Sequence, residues 1–118
     1  MKIFKFGGAS VKDAESVKNV ASIIKNEGAK DTLVVISAMG KMTNAFEDVI
    51  DAYYNKSDDL PEKLTFIEEF HKNIMNSLFD KNDEIYKKID FCWPLYFHSS
   101  LSWDQQQQVL YIVQYERK

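Results

Sequence analysis

The sequence predicts an α/β fold carrying a parallel sheet, and three observations predict it. Ile3, Phe4 and Phe6, set between Lys2 and Lys5, form a short strand-like run that breaks at Gly7-Gly8. Ala14, Val17, Val20, Ala21 and Ile24 then recur at three- and four-residue intervals, giving one apolar helical face as far as Gly28. Leu33 to Ile36 is a second apolar run rich in β-branched residues. A strand, a helix and a second strand in that order make a parallel pair, with the helix as a right-handed crossover.

Each element has a local reason. Gly7-Gly8 ends the first strand, and Ser10 followed by Asp13 reads as a helix start, the hydroxyl accepting from an early N–H and the carboxylate sitting in the first turn. The Leu33–Ile36 run reads as a strand covered on both faces. After a loop from Ser37 to Met42, Thr43 or Asn44 can cap a helix carrying Phe46, Val49, Ile50 and Tyr53, with Glu47 completing a capping box from Asn44. Asn55-Lys56-Ser57-Asp58-Asp59 is a polar break, and Pro61 suits the first turn of the next helix. That helix carries a stripe of Leu64, Ile67, His71, Ile74 and Leu78, widened by Phe70 and Met75. A shorter helix is expected over Asp83 to Ile89.

The chemistry concentrates at the first strand's end. Lys5-Phe6-Gly7-Gly8-Ala9-Ser10 places an ammonium, two residues free to take positive φ and a hydroxyl within one turn, just ahead of a helix N-terminus. Backbone N–H groups that turn inward hold phosphate oxygens, glycine permits close approach, and the helix start adds unpaired amides and the positive end of its dipole. The lysine precedes the glycines, so the spacing differs from the G-x-x-x-x-G-K-[ST] loop.

Lys-Phe-Gly-Gly-Ala-Ser-Val at positions 5–11 resembles the opening signature of the aspartate kinases (aspartokinases), within the amino-acid kinase family, with Ala9 where most members have Thr. Val34-Val35-Ile36-Ser37-Ala38-Met39-Gly40-Lys41-Met42-Thr43-Asn44 is similar to the family's second-strand motif, V-V-S-A-M-G followed by T-N. The resemblance covers roughly residues 1–90. It implies the N-terminal portion of a carbamate kinase-like three-layer fold with a parallel sheet, incomplete here. It also implies ATP-dependent phosphorylation of the side-chain carboxylate of L-aspartate, with Mg2+ carried by the nucleotide, in the pathway toward lysine and threonine. Lys5 would be the catalytic cation. Lys5, Phe6, Gly7, Gly8 and Ser10 would face the ATP phosphates, while Ser37 and Thr43 look like the aspartate-contacting positions. Full-length members suggest a homo-oligomer. Family members place the adenine pocket, a catalytic Asp and regulatory domains beyond position 118, so turnover by this chain alone is not expected. The alternatives are a kinase for another small amino acid or carboxylate, and a non-catalytic nucleotide-binding or interaction module.

Composition bounds these readings. A chain of 118 residues supports one core. The formal charge of −3 gives no general field for nucleic acid or an anionic membrane, so any phosphate site is local. Every basic residue before Arg117 is lysine, which leaves Lys5 and Lys41 to meet anions without bidentate arginine clamps. Cys92 is the only cysteine, which excludes an internal disulfide and a thiol metal cluster and suggests the cytoplasm. No apolar run reaches the length of a membrane span, and the N-terminal run is too short for a signal peptide.

Several residues have plainer readings. Ser10 and Thr43 each serve as well for helix caps as for ligand contacts. Met39-Gly40-Lys41 reads as a mobile loop, its lysine either facing an acidic substrate or simply solvent-exposed. His71 reads as a satisfied helix-stripe histidine rather than a general base, and His98 lacks ligand-spaced neighbours for a metal. Asp58-Asp59 suit a loop or cap better than magnesium. Residues 91–118 lose charge and turn rich in Trp, Tyr and Gln. They also lack the S-x-G-E helix that aspartokinases show at this distance from the start. They form a divergent tail whose Trp93–Phe97 and Val109–Tyr115 clusters read as packing or an exposed apolar patch.

Overall fold

A computed structural model of the chain describes residues 1–92, with side chains described through Ile89. The tail clusters, His98 and the Gln-rich run lie outside the described residues.

The chain runs β1 (Lys2–Phe6), a 3-10 turn (Gly8–Val11), α1 (Ala14–Glu27), β2 (Thr32–Ile36), α2 (Met42–Tyr54), α3 (Leu60–Leu78) and α4 (Glu84–Cys92). β1 and β2 pair in parallel, with Lys5 opposite Val35 and Phe6 opposite Ile36. This is the α/β arrangement expected from the strand–helix–strand pattern.

Strand alternation assigns the two sheet faces. Phe6 is buried with Val11 and Val20, and Phe4, Val17, Ile23, Ile24, Val34 and Met39 pack around them. The Phe4 and Phe6 rings stack, their centroids 6.2 Å apart. The opposite face differs from expectation: Ile3, Leu33 and Val35 are exposed, and Ile36 at the end of β2 is exposed on the core side, so among the described residues β2 is covered on one face only, and only in part. A β-branched run marks a strand but carries no record of what lies over it.

The helix stripes behave as their periodicity predicts. α2 packs on α3, which also touches α1. Met42, Ala52, Ile67 and Ile74 are the buried residues of α2 and α3, Ile67 completely so. Pro61 lies in the first turn of α3. His71 is half-buried, its Nδ1 lying 2.8 Å from the Ile67 carbonyl oxygen, the satisfied state expected of it. The Tyr86 hydroxyl donates to Asn76 Oδ1 at 3.0 Å and ties α4 to α3.

The caps depart from the sequence reading. α1 begins after Asp13, whose carboxylate accepts from the Ser16 N–H at 2.8 Å, so Ser10 does not cap it. α2 begins after Lys41, which supplies no side-chain cap; Thr43 and Asn44 lie inside its first turn, and no capping box forms from Asn44. In both cases a short turn intervenes between the strand and the helix. The first helical residue is therefore set by where that turn ends, not by the nearest hydroxyl.

Candidate functional site

The end of β1 separates two side chains by simple alternation. Phe6 points into the core and anchors the strand, while its carbonyl accepts the Ser37 N–H at 3.0 Å, joining the exits of both strands. Lys5 points to the other face and is exposed. Its ammonium folds back over the bend: Nζ lies 3.7 Å from where a Cβ on Gly7 would stand.

The backbone beyond it is not left-handed. Gly7 is extended, at φ −76° and ψ 173°, and the positive-φ glycines are Gly28 and Gly40. The expected positive φ at Gly7 and Gly8 is therefore corrected, and their lack of a side chain has other causes. At Gly7 it leaves room beneath the Lys5 ammonium. At Gly8 it permits a backbone-to-backbone contact. A Cβ there would stand 2.7 Å from the Gly40 carbonyl oxygen and 2.9 Å from that of Ala38, and the Gly40 N–H donates to the Gly8 carbonyl at 3.0 Å.

The Ser10 N–H donates to the Gly7 carbonyl at 2.9 Å and closes the 3-10 turn. The N–H groups of Gly7, Gly8 and Ala9 have no acceptor among the described residues. The first amides of a helical turn lack acceptors within it, and three consecutive ones beside an ammonium form a local concentration of positive charge suited to an anion. The Ser10 hydroxyl likewise makes no hydrogen bond among the described residues.

The second loop is docked rather than loose. Gly40 adopts φ 55°, a conformation that favours glycine, between the Phe70 ring and the Lys12 backbone, and the Met42 N–H donates to the Met39 carbonyl at 3.0 Å. Lys41 is exposed at the α2 N-cap position. Ser37 is half-buried immediately past β2, and Thr43 is exposed in the first turn of α2. The fold thus brings Lys5, Gly7, Gly8 and Ser37 together at the carboxyl ends of the strands, with Ser10 and Thr43 in the turns that follow. Reading from sequence missed Gly40 and Phe70 as parts of this assembly. A glycine in a tight loop was the available signal for the first, whereas Phe70 is indistinguishable from other stripe residues. Among the described residues no group of three or more His, Cys, Asp or Glu side chains is poised for a metal, and no helix is long and apolar enough to cross a membrane.

Polar groups gather at the carboxyl ends of a parallel strand pair, the end where ligands of open α/β sheets usually lie. Comparison with known proteins narrows the reading. Over 81 residues, 69% of this chain, it is 36% identical to a chloroplastic bifunctional aspartokinase/homoserine dehydrogenase of Daucus carota. Over 80 residues it is 36% identical to chloroplastic aspartokinase 2 of Arabidopsis thaliana and 35% identical to aspartokinase 1 of the same plant, each match covering 64% of the chain. The chain spans 9% of the length of the bifunctional relative and 14% of the two aspartokinases. No family model matches it, and no solved structure matches it. About 65% of the chain is therefore similar to a short segment of aspartokinases and bifunctional aspartokinase–homoserine dehydrogenases.

Proposed function

We propose that this chain carries the phosphate-binding segment of an aspartokinase-type enzyme of the amino-acid kinase fold, which transfers the γ-phosphoryl group of ATP to the side-chain carboxylate of L-aspartate. The observation that carries the reading is the Lys5 ammonium folded over Gly7, beside three backbone N–H groups that lack protein acceptors among the described residues. The relatives are named as aspartokinases, and the reaction is the one the resemblance of residues 5–11 and 34–44 implies.

In phosphoryl transfer the protein mainly aligns donor and acceptor and offsets phosphate charge. In this proposal the Gly7, Gly8 and Ala9 amides hold phosphate oxygens of ATP, which brings its own Mg2+. Lys5 supplies the full positive charge, in a charge-assisted contact worth about 1.5–3 kcal/mol. The Ser10 hydroxyl adds a donor. Ser37 and Thr43 hold L-aspartate on the adjoining loop, which puts acceptor and donor at one end of the sheet. The chain spans 9% of the bifunctional relative and 14% of aspartokinase 2, and the expected behaviour of the isolated chain is weak nucleotide binding without formation of aspartyl phosphate. Cytoplasmic residence belongs to the same proposal; the plant relatives are named as chloroplastic.

A thermal titration tests it. At ten times its dissociation constant a ligand specific to the folded state adds about 1.4 kcal/mol. For a domain of this size that is a rise of about 5 °C in Tm. MgATP is expected to give a rise that Lys5→Ala removes; no rise at any concentration refutes the nucleotide reading. The exposed Ile3, Leu33 and Val35 face favours a second reading, a non-catalytic interaction module, which the flat titration would support.

A further inference from the structure

We infer that Phe70 is a positioning residue for the phosphate loop, acting from α3 through Gly40. Gly40 links two elements that the sequence places far apart. On one side its N–H donates to the Gly8 carbonyl at 3.0 Å, and on the other a Cβ at Gly40 would stand 3.4 Å from the Phe70 ring. Lys12, at the end of the 3-10 turn, closes the third side, with its Cα and Cβ each 3.7 Å from the same point. Gly40 holds φ 55° inside this clamp, a conformation glycine visits but does not hold without contacts.

The ring is itself fixed. Phe70 is half-buried and meets His71 edge-on at 5.4 Å, and the His71 imidazole is tied to the carbonyl of Ile67, the completely buried residue of α3. A rigid path thus runs from the α3 core to Phe70, to Gly40, to the carbonyl of Gly8 and so to the orientation of the neighbouring amide. Phe70 touches no ligand in this scheme. It sets the direction of the Ala9 N–H, which shares the Gly8 carbonyl's planar peptide unit. The ligand part rests on the proposed function; the clamp is independent of it.

Amide hydrogen exchange and MgATP titration on the full chain test the inference together. Phe70→Ala is expected to accelerate exchange at the Gly40 N–H about tenfold more than at the Val20 N–H in α1, which reports global opening. MgATP affinity falls about fivefold or more in the same variant, as expected when a cradle must be reordered on binding. Phe70→Leu, which keeps an apolar side chain against Gly40, restores most of both and guards against a variant that does not fold. Equal acceleration at Gly40 and Val20, or none at Gly40, overturns the clamp. If the parent chain binds no MgATP, the nucleotide reading fails and the exchange comparison alone decides the role of Phe70.

Discussion

Replacing each of the paired glycines by alanine separates two reasons for having glycine at the bend after β1. Gly8→Ala drives a methyl group to 2.7 Å from the Gly40 oxygen and 2.9 Å from the Ala38 oxygen, both backbone atoms on a loop held by its own hydrogen bonds. Overpacking of this kind costs about 1–3 kcal/mol. Loss of the Gly40 N–H bond to the Gly8 carbonyl adds about 0.5–1.5 kcal/mol. The sum, about 1.5–4.5 kcal/mol, corresponds to a fall of about 6–18 °C in Tm for a domain of this size. Gly7 is extended, a conformation alanine adopts freely, and its Cβ would meet only the Lys5 ammonium at 3.7 Å, an ordinary contact. Gly7→Ala therefore restricts the unfolded chain without straining the folded one and is neutral or stabilising by up to about 1 kcal/mol. The same methyl stands where an anion would reach the amides, so MgATP binding falls although stability does not. Urea unfolding followed by circular dichroism reads the difference: the midpoint drops in Gly8→Ala with little change in slope and holds or rises in Gly7→Ala. Equal stability of the two variants would refute the assignment of Gly8 to loop docking.

Further outcomes follow from the same geometry. Lys5→Ala leaves Tm within about 1 °C of the parent, since an exposed lysine away from core features contributes little, but it removes the rise produced by MgATP in the thermal titration. Ile67→Ala empties a completely buried site and costs about 2–5 kcal/mol, read as an early urea midpoint. Two carboxylates are held below the ordinary Asp value of 3.8, Asp13 by the Ser16 N–H and hydroxyl, Asp59 by the Ser57 hydroxyl and then by Lys63. A depressed folded value means that their contribution is complete above the unfolded value and disappears as pH falls through the folded one. Tm is thus expected to hold from neutral pH to about 5 and to drop below about 4, with a smaller drop in Asp13→Asn, whose amide caps α1 at any pH. An unchanged acid profile in Asp13→Asn would remove that cap from the account.

The parts of the fold that the sequence made legible are those decided by neighbours a turn or a strand away. Val17, Val20 and Ile24 reveal a helical face because periodicity is local, and His71 reads correctly because its partner, the Ile67 carbonyl, lies one turn back on the same helix. Strand alternation sends Lys5 to the face opposite Phe6, where its ammonium lies over Gly7. What failed depended on distant chain. The glycine at 8 answers to Ala38 and Gly40 across the strand exits, a contact that no local rule encodes, so close approach was expected toward phosphate where the structure shows it toward backbone. Helix starts shifted to Asp13 and Lys41 for a related reason, because the turns between strand and helix are docked on each other. Leu33 and Val35 show the same limit: their residue types call for a strand, while their exposure depends on elements packed from elsewhere.

The central claim is that Lys5 and the amides of Gly7, Gly8 and Ala9 form one anion cradle, and backbone amide chemical shifts during MgATP titration test it most directly. Saturable shifts are expected at those three amides, largest at the bend, abolished by Lys5→Ala while the amides of α3 stay in place. Shifts confined to other parts of the chain, or identical shifts with and without the Lys5 ammonium, would contradict it.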